Sequence, residues 1–201
     1  EAIAEILKTE GFEWLACFPA NPLIEAVAKE GIRPIVFRQE RGGIMAADGF
    51  SRLMAAKGKY GVFACQGGPG AENAFGGFAQ AWADAVPILF LPDGPGNDVT
   101  DISPNFSAPA NYKGITKWSA SVTSVERIPG MMRRAVSALK NGRPGPVMLE
   151  MQRDVMGDEI ADIGDYGSPQ QYVTAPSKPE LRSTVKALLT AKRPVIWAGQ
   201  G

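Results

Sequence analysis

The sequence predicts an α/β protein: a doubly wound, mostly parallel sheet with helices on both faces. Three observations carry this reading. Short β-type runs alternate with helical stretches through about residue 152, the pattern of a sheet crossed repeatedly by helices. Twice a β-type run passes through a short turn straight into a helix, at Val36-Phe37-Arg38-Gln39-Glu40 and at Val62-Phe63-Ala64-Cys65-Gln66-Gly67-Gly68-Pro69-Gly70. The helix that opens near Glu40 is rich in Gly and Ala. Its faces are mostly small or apolar, as in a helix buried on more than one side.

The elements follow in order. A helix is predicted over 2–10, with Ile3, Ile6 and Leu7 on one face and Gly11 as its stop. A strand over 14–18 ends in the turn Pro19-Ala20-Asn21-Pro22, and a second helix over 23–29 ends at Gly31. A β-type run over 32–37 leads to the third helix, from Glu40 to about 57, closed by Gly58. A strand over 60–65, a helix over 71–83 and a strand over 87–91 come next. Over 92–113 the pattern dissolves into Pro, Gly, Asn, Asp and Ser. Ordinary connections are a handful of residues, so a segment of this length reads as a functional or mobile loop.

A strand returns over 115–122. The helix over 126–140 has the clearest apolar stripe, made by Ile128, Met131, Met132, Ala135, Val136 and Leu139. Pro129 lies in its first turn and Asn141-Gly142 ends it. A closing strand spans 146–151. Residues 153–176 read as an interdomain linker, without periodicity. Ser177-Lys178-Pro179-Glu180 is a capping box. Leu181, Val185, Leu188 and Leu189 give the next helix face, and 194–198 read as a strand. One helix and one strand cannot bury a core of their own. The expected organisation is therefore one domain over 1–152, a linker over 153–176, and the truncated start of a further domain over 177–201.

Composition narrows the function classes. The chain has 201 residues, 45% hydrophobic and 21% charged, as in an ordinary globular protein. Lys+Arg and Asp+Glu balance at 21 each, so no basic surplus argues for nucleic acid or an anionic membrane. No apolar run reaches membrane-spanning length, and no signal peptide opens the chain. Cys17 and Cys65 are isolated within apolar runs. They read as small buried residues of a reducing, cytoplasmic compartment rather than as a disulfide or a metal motif. The chain has no histidine, which excludes histidine triads and histidine metal ligands within it. We expect no metal ligand in this chain.

Four ordered blocks resemble the N-terminal, pyrimidine-binding domain of thiamine diphosphate enzymes, in particular the acetolactate synthase-like group. They are Glu40-Arg41-Gly42-Gly43-Ile44-Met45-Ala46-Ala47-Asp48-Gly49-Phe50-Ser51-Arg52, Gly67-Gly68-Pro69-Gly70-Ala71-Glu72-Asn73, Asp84-Ala85-Val86-Pro87, and Gly142-Arg143-Pro144-Gly145-Pro146-Val147. The likeness covers about residues 1–156, with a further short match over 193–201. Any one block alone is weak; their order and spacing make the signal specific.

The resemblance implies roles. The family's glutamate, here Glu40, hydrogen-bonds a ring nitrogen of the cofactor's aminopyrimidine. The imino tautomer so favoured takes the proton of the thiazolium carbon, giving the ylid that attacks a 2-oxo acid. Such a glutamate must share or hold a proton, which burial in an apolar site makes possible. Without the other blocks, Glu40 reads as a charge at a helix N-terminus. Pro19, Ala20, Gln66, Gly68, Pro69 and Asn73 fall on the turns expected to approach the pyrimidine. As residues alone, the glycines make a tight strand-to-helix turn and Asn73 caps a helix as readily as it lines a site. Neither the Walker lysine nor the dinucleotide glycine spacing is present. Phe106, Ser107 and Lys117 fall where relatives line the path of the substrate; edge packing explains them equally well. Ala20 and Asn21 stand where the family usually has two glycines, and Gln66, Glu72 and Ser107 also depart from its usual residues.

The expected parent is thus an enzyme, a transferase or lyase that makes or breaks a carbon–carbon bond at a 2-oxo acid. Its diphosphate and Mg2+ are expected in a C-terminal domain outside this chain, and the fragment alone should be inactive. The parent is expected to be at least a homodimer, paired through the apolar faces of the helices over 40–57 and 71–83. FAD is not favoured: Arg143 is better read as a turn arginine held by Pro144-Gly145-Pro146 than as a flavin contact. Two rivals stand beside this reading. One is a related decarboxylase or acyltransferase with another substrate, the other a non-catalytic binding or assembly module of the same fold.

Overall fold

Backbone hydrogen bonds in the computed structural model join six strands, among the described residues 1–19 and 21–199, into one sheet in which every pairing is parallel. The order of elements is α1 (Ala2–Thr9), β1 (Trp14–Cys17), α2 (Leu23–Lys29), β2 (Arg33–Val36), α3 (Glu40–Met54), β3 (Gly61–Cys65) and α4 (Pro69–Ala83). It continues with β4 (Ile88–Gly94), α5 (Ala108–Tyr112), β5 (Trp118–Val122), α6 (Ile128–Lys140), β6 (Val147–Gln152), α7 (Arg153–Gly157) and α8 (Lys178–Thr190). The expected doubly wound α/β fold is the one observed.

The strand order β2-β1-β3-β4-β6-β5 explains which face each helix covers. Parallel crossovers are right-handed, so a connection that steps one way along the sheet runs over one face and its reverse runs over the other. The steps β1 to β2 and β5 to β6 share a direction, and α2 and α6 pack on one face with α1. The other three steps run the opposite way, and α3, α4 and α5 lie on the second face. Side-chain alternation sorts the strands to match: Leu15, Val62, Leu89 and Leu149 face the first layer, Ala16, Phe63, Phe90 and Met148 the second. The step direction reverses between β1 and β3, and again between β4 and β6. Such reversals open crevices at the carboxyl ends of the strands, where ligands bind in open α/β sheets.

Three segments differ from the sequence reading. The irregular stretch after β4 contains α5, pinned because the buried Tyr112 hydroxyl donates to the Ala71 carbonyl at 2.6 Å. Residues 160–172, read as linker, lie along α1 and α6: the buried Glu10 carboxylate accepts from Tyr166, Ser168 and Lys140. Residues 194–198 are not a strand. Val195, Ile196 and Trp197 are exposed, with no neighbouring strand among the described residues to take their backbone groups. α8 carries the expected capping box, Ser177 with Glu180, and its whole length is exposed.

Candidate functional site

Small residues decide how closely α3 approaches α4 and the sheet. A Cβ on Gly77 would sit 2.5 Å from Ile44 of α3, and one on Gly43 would sit 2.5 Å from the Phe63 ring of β3. A Cβ on Gly61 would collide with the Ala47 carbonyl. The polar residues of the same blocks lock this packing. Ser51 donates to the Pro87 carbonyl at 2.6 Å and accepts from the Gly61 amide at 2.7 Å. Arg52 binds Asp48 at 2.6 Å and Asp84 at 2.7 Å, so the first block is tied directly to the third. Beneath them Phe78, Phe90 and Tyr112 form an aromatic cluster, with Phe78 and Phe90 stacked at 4.5 Å.

The close approach delivers two side chains to one point. Gln39 is extended backbone at the N-cap of α3, and Glu40 is the first helical residue. Glu40 is only 4% exposed. The Asn73 amide, from the second turn of α4, donates to Glu40 Oε2 at 2.7 Å. The other oxygen, Oε1, lies 3.3 Å from the place a Cβ on Gly70 would occupy, and Cys65 Sγ lies 3.4 Å from the same place. The Gln66 side chain comes nearer still, 2.7 Å from that place, so only glycine fits beside the carboxylate. Gly68 holds φ at +56° at the N-cap of α4, a conformation glycine adopts at little cost. Gln66 is half-buried and Pro69 exposed on the same turn.

The β1 end completes this edge. Pro19 is exposed just beyond it; Ala20 lies outside the described residues. Asn21, which the sequence reading left without a role, is a buried staple. Its amide donates to the Cys65 and Leu91 carbonyls at 3.2 and 3.4 Å, and its Oδ1 accepts from the Leu23 amide at 2.9 Å. Asn21 is thereby fixed to the end of β3 and to the middle of β4. An Asx turn was its only local signal.

The substrate-path candidates divide. Phe106 packs against the second-face core, and Ser107 is the N-cap of α5, on the same face as Glu40. Lys117 is not brought to Glu40. It precedes β5, at the amino edge of the sheet, and its ammonium donates to the Ala138 and Asn141 carbonyls at the end of α6. Burial pushes its pKa down, and the helix-end carbonyls are natural partners for a cation. Arg143 stacks over Trp82 at 5.3 Å.

Electrostatics mark further groups. Burial, then the charges of Glu40 and Asp93, push the Cys65 thiol up, so it is no thiolate nucleophile. Burial pushes Asp93 up to about 7 against the pull of Arg153. Burial also pushes Glu150 up to about 7; the hydrogen bond from Ser121 opposes this and Asp101 adds to it. A cleft of about 680 Å3 opens on the first face, lined by Ile3, Leu23 and Met151 among others, and does not include Glu40. Among the described residues no cluster of His, Cys, Asp and Glu is placed to hold a metal ion, and no helix is long and apolar enough to cross a membrane.

Comparison with known proteins adds the following. The family described as thiamine pyrophosphate enzyme, N-terminal TPP binding domain, matches residues 1–109. The whole chain is 32% identical to the probable acetolactate synthase large subunit of Methanocaldococcus jannaschii, covering 35% of that protein. It is 31% identical to the acetolactate synthase large subunit of Lactococcus lactis, covering 36%, and 30% identical to the chloroplastic acetolactate synthase 2 of Nicotiana tabacum, covering 32%. In each case all of this chain is aligned, so it spans about a third of the length of these relatives.

Proposed function

The chain belongs to the thiamine pyrophosphate enzymes as their N-terminal TPP binding domain, and from that premise we propose that its parent makes or breaks a carbon–carbon bond at a 2-oxo acid, in the manner of an acetolactate synthase. The observation that carries the proposal is the buried Glu40, with one oxygen held by Asn73 and the other beside Gly70. The residues fit an aminopyrimidine. A flat ring needs a carboxyl at its edge and backbone close to its face, and the turn at Gly68, with nothing within 4 Å of the place its Cβ would take, leaves backbone open beside the block that carries Gly70.

When bound, thiamine diphosphate would supply an acidic thiazolium carbon able to act as a nucleophile toward the carbonyl of a 2-oxo acid. Glu40 Oε2 accepts from Asn73, and the carboxyl keeps acceptor sites with which it would meet a ring nitrogen and hold or share the proton there. Asn73 fixes the carboxyl's orientation. Pro19, Gln66, Gly68 and Pro69 line the approach, with Phe106 and Ser107 on the same face. Mg2+ and the diphosphate belong to a domain outside this chain, and FAD is possible but not favoured: Arg143 over Trp82 supports its reading as a turn arginine. A cytoplasmic homodimer or larger assembly is the partner arrangement that fits best. Met45, Leu53 and Phe75 are exposed apolar residues of α3 and α4, the helices that carry Glu40 and Asn73. The reading is tested by incubating the full-length parent with pyruvate, thiamine diphosphate and Mg2+. The expected result is release of carbon dioxide with formation of a joined 2-hydroxy-2-methyl-3-oxo acid; no cofactor-dependent turnover of any 2-oxo acid would overturn it.

A further inference from the structure

The amino edge of the sheet, opposite the edge that carries Glu40, holds a second groove. It has a volume of about 610 Å3 and is lined by Lys117, Arg133, Arg134, Ser137 and Asn141 among others. No Asp or Glu lines it. We propose that this groove binds the phosphoryl group of a small anionic ligand, held between Lys117 and the Arg133–Arg134 pair. It does not depend on the cofactor reading given above.

Helix periodicity builds one wall. Arg133, Ser137 and Asn141 follow at four-residue spacing, so they share one face of α6 and its end, with Arg134 beside them. Lys117 comes across from the residue before β5 and donates to the Ala138 and Asn141 carbonyls. Each cation is held in place by something other than a carboxylate. Arg134 lies over the Trp118 ring at 4.8 Å, and Arg133 over the Tyr166 ring at 5.5 Å. Arg133 also donates to the Asp165 carbonyl at 3.2 Å. Among the described residues, none of the three forms an ion pair.

Stacking on a ring fixes a guanidinium's plane without spending its N–H donors. The groove therefore presents oriented donors with capacity to spare. Three positive charges gathered without a counter-charge also repel one another, and burial already disfavours the Lys117 ammonium. A bound anion relieves both costs. A phosphoryl group suits the arrangement better than a lone carboxylate. It carries close to two charges and three acceptor oxygens, enough to meet Lys117 and a guanidinium together, and arginine matches its geometry. Gly130, Ala138 and Gly142 are the small residues of the lining, and the volume is that of a small-ligand site. A ligand here leaves the Glu40 edge free.

The test is calorimetric titration of the full-length parent with inorganic phosphate, phenyl phosphate and benzoate. Excess thiamine diphosphate and Mg2+ are present throughout, which keeps binding at the cofactor site out of the measurement. Arg134→Gln removes one charge at an exposed position, and Arg133→Gln with Arg134→Gln removes two. Lys117→Gln removes the third while its amide can still donate to the α6 carbonyls; if it fails to fold, the arginine variants carry the test alone. The expected result is binding of both phosphates, weakened by added salt, with benzoate weaker than phenyl phosphate. Arg134→Gln should weaken phenyl phosphate about tenfold, the loss of one charged hydrogen-bonding partner, and the double variant should weaken it further. Tighter binding of phenyl phosphate than of inorganic phosphate assigns the site to an organic phosphate, and equal binding assigns it to free phosphate; both support the proposal. No binding of either phosphate, binding by the double variant at wild-type strength, or benzoate binding as tightly as phenyl phosphate overturns it.

Discussion

The two helical layers are built on different plans. The first-face layer fills space with large aliphatic side chains: Ile6 and Leu7 of α1 and Met132 and Leu139 of α6 are buried against Leu15, Val62 and Leu149. The second-face layer buries an aromatic core of Phe63, Phe78, Phe90 and Tyr112 and sets glycines at its closest contacts. Gly43, Gly70 and Gly77 bring backbone within reach of neighbouring side chains and Gly61 within reach of the Ala47 backbone, and the space saved lets Glu40 and Asn73 meet. Both layers supply burial; the second also sets the distance between Glu40 and Asn73. The comparison teaches that the glycine-rich blocks encode closeness rather than flexibility.

Substitutions that exchange the two plans test this. In the first layer, Leu7→Ala removes a fully buried side chain and should cost about 2–5 kcal/mol through lost transfer and a cavity. Denaturant titration should show the loss, while cofactor binding by the full-length parent is unchanged. In the second layer, Gly61→Ala drives a methyl into the Ala47 carbonyl. It should cost less stability, about 1–3 kcal/mol, yet weaken cofactor binding as well, because α3 carries Glu40. If Gly61→Ala bound cofactor as wild type does, close packing would not be what sets the site.

A smaller effect concerns pH. Glu150 is raised from 4.5 to about 7 in the folded state, so between these values the folded chain binds more protons than the unfolded one. Its stabilising contribution is fully present below about 4.5 and is lost as pH rises through about 7. Asp93 acts in the same direction from 3.8 to about 7. Glu150→Gln keeps an acceptor for Ser121 but does not titrate. Its melting temperature should fall less steeply than that of the wild type between pH 5 and pH 8; an identical slope would exclude Glu150 as a contributor.

What was legible in the sequence was whatever local pattern determines. The alternation of apolar runs and helices gave the parallel sheet, and the strand-to-helix junction picked out Glu40. Contacts between distant segments were not legible. α5 forms in a Pro- and Asn-rich stretch because Tyr112 reaches Ala71, which no local signal reveals. The apolar run over 194–198 resembled a strand, but a strand needs a neighbour to pair with. Lys117 lies at the amino end of β5, and motif position alone does not tell which end of a strand a residue occupies. Glu40 and Asn73 were singled out on separate blocks; that they share a hydrogen bond depends on the packing of α3 on α4.

The account's central claim is that Glu40 exchanges a proton with the cofactor rather than merely capping α3. The most direct measurement is hydrogen–deuterium exchange at the thiazolium carbon of bound cofactor in the full-length enzyme, wild type against Glu40→Gln. The substitution keeps size and hydrogen-bonding capacity, and the fold should survive, since a charge at a helix N-terminus contributes only about 1 kcal/mol. Exchange should slow by roughly a hundred- to ten-thousand-fold, the range a positioned acid–base group contributes, with cofactor affinity falling far less. Unchanged exchange with intact binding would contradict the claim and leave Glu40 as a structural cap.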